Sequence, residues 1–214
     1  SFTDMFFLDV KTITILGVEC WVSRSGYTGE DGFELSIPSK DVERIAEELL
    51  IHNDVLPIGL GARDSLRLEA GLCLYGHDLT TTISPVEASL NWAVHKVRRF
   101  GGDRPGGFIG DQIILGQLES GTDVKRVALL PRERAPIREG CILFETERSA
   151  LSVGHVSSGG FSPTLQKPIS VAYIRSDLAI KNKEIFAEVR GKRMVVKVTS
   201  LPFVKTKYKL KTKE

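Results

Sequence analysis

A ladder of short apolar runs in the carboxyl-terminal part of the chain restricts its fold most: Val124–Leu130, Cys141–Glu145, Ser152–Ser157, Ile169–Ile174, Glu184–Val189 and Met194–Val198. Pro131, Gly140, Gly159-Gly160, Pro168 and Gly191 stand between them. Such residues interrupt regular backbone, Pro by fixing φ and removing a donor, Gly by tolerating positive φ. Each run is short for a helix, and β-branched side chains recur through them. Six short strands without a convincing helix argue for a small antiparallel barrel or sandwich.

Upstream the periods are mixed. Ile13, Ile15, Val18, Cys20 and Val22 alternate well enough to predict two strands turned at Gly17. After Ser39 as N-cap, Val42, Ile45, Ala46, Leu49 and Leu50 fall on one helical face, with Glu43, Arg44, Glu47 and Glu48 opposite. A second helix is predicted from about Gly61 to Ala70, ended by Gly71. Ser84-Pro85-Val86-Glu87 reads as a capping box with Pro at N1, opening a helix that continues through Ala88, Leu90, Asn91, Trp92 and Val94. The glycine-rich segment from Phe100 to Gly110 reads as a loop or lid. The overall class is α+β, with a boundary near residue 120 that leaves residues 1–119 as a sheet-and-helix unit and 120–214 as the β-domain.

Between the early strands and the first helix lies Ser23-Arg24-Ser25-Gly26-Tyr27-Thr28-Gly29-Glu30-Asp31-Gly32-Phe33-Glu34-Leu35. Three closely spaced glycines allow positive φ and a close approach to the backbone. The run then passes into a strand pattern. If Phe33, Leu35 and Ile37 face the core, Glu34 faces the other way, toward whatever the loop surrounds. A carboxylate held there is a candidate ligand group, set against an ordinary exposed Glu. Arg63 sits in the first turn of its predicted helix, where the macrodipole disfavours a cation. Its position needs either an anionic partner or an ion pair with Asp64 or Glu69. Arg67, one turn later, reads as structural.

Lys and Arg total 29 against 27 Asp and Glu, a net charge of +2, so there is no general drive toward nucleic acid or a membrane surface. Lys205, Lys207, Lys209, Lys211 and Lys213 recur at alternate positions and read as a solvated, fraying tail rather than a polyanion site. Cys20, Cys73 and Cys141 are odd in number and far apart, which suits a reducing compartment and a core role. His52, His77, His95 and His155 lack partners at metal-ligand spacing, so no metal is expected. No P-loop, dinucleotide-binding fingerprint or nucleophile elbow is found. The chain opens on Ser1 and enters strand-like sequence almost at once, which reads as a fragment of a longer protein.

Five blocks in order resemble a known family. Gly26-Tyr27-Thr28-Gly29-Glu30-Asp31-Gly32-Phe33-Glu34, Ala62 to Leu72, Leu74-Tyr75-Gly76, Ser84-Pro85-Val86-Glu87 and Pro202-Phe203-Val204 closely resemble the carboxyl-terminal portion of the aminomethyltransferase, or T-protein, of the glycine cleavage system. That resemblance implies part of a folate-binding core followed by a terminal β-barrel. It implies that Glu34 binds the pterin, that Tyr27 lines the folate pocket, and that Arg63 and Tyr208 are further substrate contacts. Tetrahydrofolate would be the acceptor substrate, and the lipoylated carrier (H) protein of the system the partner. The family's catalytic Asp lies upstream of the matching region, so no catalytic residue is expected in this chain and the piece alone is expected to be inactive. The implied location is the mitochondrial matrix, or the cytoplasm in a bacterium. Where relatives often continue Pro-Phe-Val with Pro-Thr, this chain has Lys205-Thr206, so Tyr208 is approached less rigidly. Two alternatives share the resemblance. A non-catalytic folate-binding relative would carry a cysteine-bearing signature not found here, and the folate-binding end of a dimethylglycine or sarcosine dehydrogenase would follow a long dinucleotide-binding region.

Overall fold

The computed structural model describes residues 2–211. Strands β1 (Val10–Ile15), β2 (Val18–Ser23) and β3 (Glu34–Ser36) form an antiparallel sheet in that order. The β1–β2 hairpin turns on Leu16 and Gly17, both at positive φ, the two-residue form whose twist matches the flanking strands. One face of the sheet buries Cys20 and Val22 with Met5 and with Ile45 of helix α1 (Val42–Leu50). Phe33 departs from the expectation. It is 40% exposed, lying edge-on to Phe2 and under the Arg24 guanidinium. Strand pairing begins only at Glu34, so Phe33 is not bound by the alternation that places Leu35.

Helix α2 (Leu60–Glu69) forms as predicted. The helix expected from Ser84 does not. Its capping box is present, with Glu87 N donating to Ser84 Oγ at 3.1 Å and Ser84 N to Glu87 Oε2 at 2.7 Å. After one turn, however, Ser89 takes φ 60° and Leu90 N closes back on Pro85 O at 2.8 Å. Asn91–Ala93 and Lys96–Arg98 are separate 3₁₀ turns. Tertiary bonds favour the break: Glu87 O accepts from Arg126 N at 2.8 Å, and Ser89 Oγ donates to Arg126 O at 3.2 Å. The glycine segment is a loop tied to its flanks, with Arg98 Nη1 on Gly106 O at 3.0 Å and Arg104 N on Val97 O at 3.0 Å. It feeds α3 (Asp111–Ser120), a helix the sequence reading passes over. Leu115 is buried there while Ile113 faces solvent, so no clean apolar stripe marks it.

Strands β4 (Val124–Pro131), β5 (Ile142–Phe144), β6 (Ser152–Ser162), β7 (Lys167–Arg175), β8 (Glu184–Val189) and β9 (Lys192–Thr199) close into a barrel in the order β4-β7-β6-β5-β8-β9, every pair antiparallel. The sandwich alternative is thereby excluded. Closure leaves no free sheet edge. Val127, Leu129, Leu143, Val156, Ile174, Ile185 and Val196 are among the residues filling the interior. Strand β7 is buried on both faces, because its outward Ile169 and Val171 pack against Leu68 of α2. Gly159 is fixed by proximity: a Cβ there would stand 1.9 Å from Ile137 O.

The lysine tail does not fray within the described residues, contrary to the sequence reading. Phe203 N and Val204 N donate to Glu69 O, Lys207 N to Gly29 O at 2.8 Å, and Lys209 O accepts from Phe7 N at 2.8 Å. The Lys207 and Lys211 side chains remain solvated and pair with Glu30 and Asp9. A lysine alternation says where side chains point but not what the backbone between them meets. Lys213 lies outside the described residues.

Candidate functional site

Helix α2 joins the two parts of the fold through buried polar groups. The Arg67 guanidinium, as expected, is structural: it meets Asp64 and Asp78, each at 2.7 Å, and donates to Ser158 Oγ at 3.0 Å. Asp78, fully buried, also accepts from Ser157 Oγ at 2.6 Å and Leu74 N at 3.0 Å. Buried Glu69 accepts from Ser162 Oγ at 2.5 Å and from both the backbone and the hydroxyl of Thr164. Every charge is thus paired or hydrogen-bonded, as burial requires. A bulge in β6 between Val156 and Ser158 turns two consecutive serines toward this network.

The Ser23–Leu35 loop rests on the end of α2. Gly29, at φ 78°, allows this approach, since a Cβ there would lie 2.7 Å from the Ala70 Cβ. Tyr27 is half-buried and donates its hydroxyl to Cys73 O at 2.5 Å, and burial pushes the phenol's pKa up. The Arg63 guanidinium lies over the Tyr27 ring, 4.6 Å from its centroid. Neither proposed ion pair forms, because Asp64 is taken by Arg67 and Glu69 by Ser162 and Thr164. Among the described residues Arg63 has no carboxylate partner.

Glu34 opens β3 opposite Ser23 and accepts from Ser25 Oγ at 2.5 Å, and Ser25 is in turn bonded to Ser23 Oγ at 2.8 Å. Its carboxylate has no cationic partner among the described residues. The cations beside it are committed elsewhere. Arg24 grips Asp31 through both carboxylate oxygens and holds that carboxyl below the usual range, while Lys207 pairs with Glu30 at 3.0 Å. Tyr208 reaches the same loop through the Lys207 backbone bond to Gly29, and its ring stacks on Phe7 at 3.9 Å between centroids. Of the four predicted site residues, then, Tyr27 and Arg63 touch directly. Glu34 belongs to the same loop, and Tyr208 approaches it from the tail.

A cavity of about 680 Å³ lies beside this cluster, between the Ala70–Cys73 turn and the barrel. Tyr27 forms part of its wall, but Glu34, Arg63 and Tyr208 do not. Cys73, Trp92, Lys125, Arg126 and Lys181 also line it, and none of them is a candidate site residue in the sequence reading, which takes Cys73 as core and Trp92 as part of a helix. The available signal was Lys125-Arg126, two cations at the start of an otherwise apolar strand. Among the described residues no group of three or more His, Cys, Asp or Glu side chains could hold a metal ion.

A sheet-and-helix unit is joined by buried ions to a closed six-stranded barrel, and an aromatic and carboxylate cluster stands on the loop between β2 and β3. Residues 1–98 match the GCVT N-terminal domain, and residues 125–205 match the glycine cleavage T-protein C-terminal barrel domain. The chain belongs to the aminomethyltransferase, or T-protein, family of the glycine cleavage system. It is 45% identical over 214 residues to a mitochondrial aminomethyltransferase of Dictyostelium discoideum, covering 97% of this chain and 52% of that protein. A probable mitochondrial aminomethyltransferase of Schizosaccharomyces pombe is 47% identical over 192 residues, covering 90% of this chain and 48% of the relative. The crystal structure of glycine cleavage system aminomethyltransferase T from Bartonella henselae superposes with a TM-score of 0.87 at 40% identity, over 96% of this chain and 54% of that one. This chain spans about half the length of these relatives.

Proposed function

We propose that this chain supplies the tetrahydrofolate-binding part of an aminomethyltransferase. The whole protein would transfer the one-carbon unit of an aminomethyl group, carried on the lipoyl arm of the H protein, to tetrahydrofolate, with release of ammonia. Family membership supports the reaction class. The observation that carries the site is Glu34, a carboxylate held by Ser25 whose neighbouring cations are all committed to other groups. A pterin offers a ring N–H and an exocyclic amine as adjacent donors, which one carboxylate can accept together. Tyr27, with Arg63 over its ring, supplies an aromatic wall and a cation for a folate carbonyl or carboxylate. Tyr208, carried by the docked tail, is a further contact.

Under this reading residues 1–119 belong to the folate-binding core and residues 120–214 to the barrel domain, although the tail returns to the loop of the first. No catalytic residue is assigned within the chain. Turnover requires residues outside it, and the chain alone is inactive under this reading. The mitochondrial matrix is the proposed location, supported by relatives named as mitochondrial. The test is calorimetric titration with tetrahydrofolate. In the full-length enzyme Glu34→Ala weakens binding by about 1.5–3 kcal/mol, the loss expected for a hydrogen bond to a charged group. Unchanged affinity refutes the assignment.

A further inference from the structure

Strand pairing by itself holds Glu34 weakly. β3 is three residues long and lies at the edge of its sheet, and Glu34 is its first residue, opposite Ser23. The loop before it carries Gly26, Gly29 and Gly32. Gly29 is required by its packing on Ala70, but a Cβ at Gly26 or Gly32 would meet nothing within 4 Å. Glycine at those two positions adds backbone freedom without relieving a clash. A carboxylate at the end of such a loop samples many positions unless a further contact holds it.

Arg24 supplies that contact. It is 9% exposed and stands between Ser23, which faces Glu34 across the strand pair, and Ser25, whose hydroxyl donates to the Glu34 carboxylate. Its guanidinium reaches across the loop mouth, with Nε donating to Asp31 Oδ1 at 2.9 Å and Nη2 to Asp31 Oδ2. Nη1 donates to Met5 O at 2.9 Å and to Phe2 O at 3.3 Å, so the same fork is tied to the amino-terminal segment. The guanidinium also lies 5.0 Å from the centroid of the Phe33 ring, and Phe33 immediately precedes Glu34. The main chain of Arg24 is fixed as well, its N–H donating to Asp9 O at 3.0 Å and its carbonyl accepting from Leu8 N at 2.9 Å. One buried side chain thus clamps both ends of the loop. The geometry requires a planar fork, because an ammonium on a flexible stem does not meet two carboxylate oxygens in parallel with two carbonyls behind it.

We propose that Arg24 is a positioning residue for the folate site: its clasp on Asp31 and Phe33 sets the Ser25–Glu34 pair in place before a ligand arrives. The ligand in this proposal rests on the folate reading above, whereas the clasp rests on the loop geometry alone. Arg24 acts through Glu34, by taking the ordering of a glycine-rich loop out of the binding step.

Tetrahydrofolate is titrated calorimetrically into the full-length enzyme and into its Arg24→Lys, Glu34→Ala and doubly changed forms. Arg24→Lys weakens binding roughly three- to tenfold, as for side chains ordered only when the ligand arrives. In the Glu34→Ala background the same change has no further effect, because no carboxylate is left to place. KM for tetrahydrofolate rises with Kd while kcat holds, since Arg24 touches no reacting atom. Hydrogen exchange of residues 25–36 quickens in Arg24→Lys, and that of the barrel strands does not. Asp31→Asn breaks the same pair from its outer side, where the Asp31 side chain is 38% exposed, and decides the matter if circular dichroism shows Arg24→Lys unfolded. An equal loss in both backgrounds, a fall in kcat alone, or unchanged exchange at residues 25–36 overturns the proposal. If Glu34→Ala weakens binding but neither Arg24→Lys nor Asp31→Asn does, the folate reading stands and this proposal falls. If Glu34→Ala leaves affinity unchanged, the folate reading falls, and quickened exchange confined to residues 25–36 still supports the clasp.

Discussion

Replacing Asp78 by Ala tests whether the buried ion network holds the two parts of the fold together. Asp78 is fully buried and accepts from Arg67, Ser157 and Leu74. Removing one member of a buried pair costs about 3–5 kcal/mol, because the other charge is stranded. Arg67 keeps Asp64, whose side chain is 57% exposed, which pulls the cost toward the lower end. Against that, Leu74 N loses its acceptor, worth about 1 kcal/mol, while Ser157 retains Val171 O. The expected loss is therefore about 3–5 kcal/mol, or a fall in Tm of roughly 6–20 °C for a chain of this size. Urea unfolding followed by circular dichroism measures it, with an unchanged m-value as the sign that the compact state is otherwise intact. The double change Arg67→Leu with Asp78→Leu removes both charges and costs less than the sum of the singles. A loss below about 1 kcal/mol, or strict additivity, refutes the reasoning.

Stability also depends on pH at both ends. Arg24 depresses the Asp31 carboxyl and Arg175 depresses that of Asp177, so below the ordinary carboxylate range, about 4, the unfolded chain binds more protons than the folded one. Stability is present above that range and is lost as pH falls through the depressed values; Tm measured against pH shows an acid limb that Asp31→Asn flattens. Burial raises the Tyr173 phenol, so its contribution is present below the ordinary tyrosine value of about 10 and is lost as pH rises beyond it, an alkaline limb that Tyr173→Phe flattens. Gly159→Ala places a methyl 1.9 Å from Ile137 O and costs about 1–3 kcal/mol or more, whereas Gly191→Ala meets open space and bears only the strain of positive φ, about 1 kcal/mol. Equal thermal shifts for the two would contradict the close-approach account.

Local pattern determined a good deal. The six barrel strands, the β1–β2 hairpin, α1 and α2 could all be read from periods of 2 and 3.6 and from the turn residues between them, because those signals involve residues adjacent in the chain. Tyr27, Glu34 and Arg63 were legible as candidates for the same reason. They stand on a glycine loop and at a helix start, where a polar side chain needs an explanation. The structure puts Tyr27 and Arg63 in contact and leaves Glu34 without a cation among the described residues, which no spacing rule states.

Other features were settled by partners far along the chain. A barrel differs from a sandwich by whether β4 also pairs with β9, a choice invisible in either strand alone. The Ser84 turn stops after one turn because the backbone of Arg126 is there to receive it. The lysine tail is docked because Gly29 and Phe7 offer backbone groups to it. Asp78 and Ser157, 79 positions apart, become one buried network, and Arg126 becomes a buried cation, without a carboxylate partner among the described residues, only once β4 is laid against the Gly71 turn. Propensity and alternation act over a few residues, whereas desolvation and charge pairing depend on what surrounds a group after collapse. That is why the elements of this protein were written in its sequence and the electrostatics of its cavity were not.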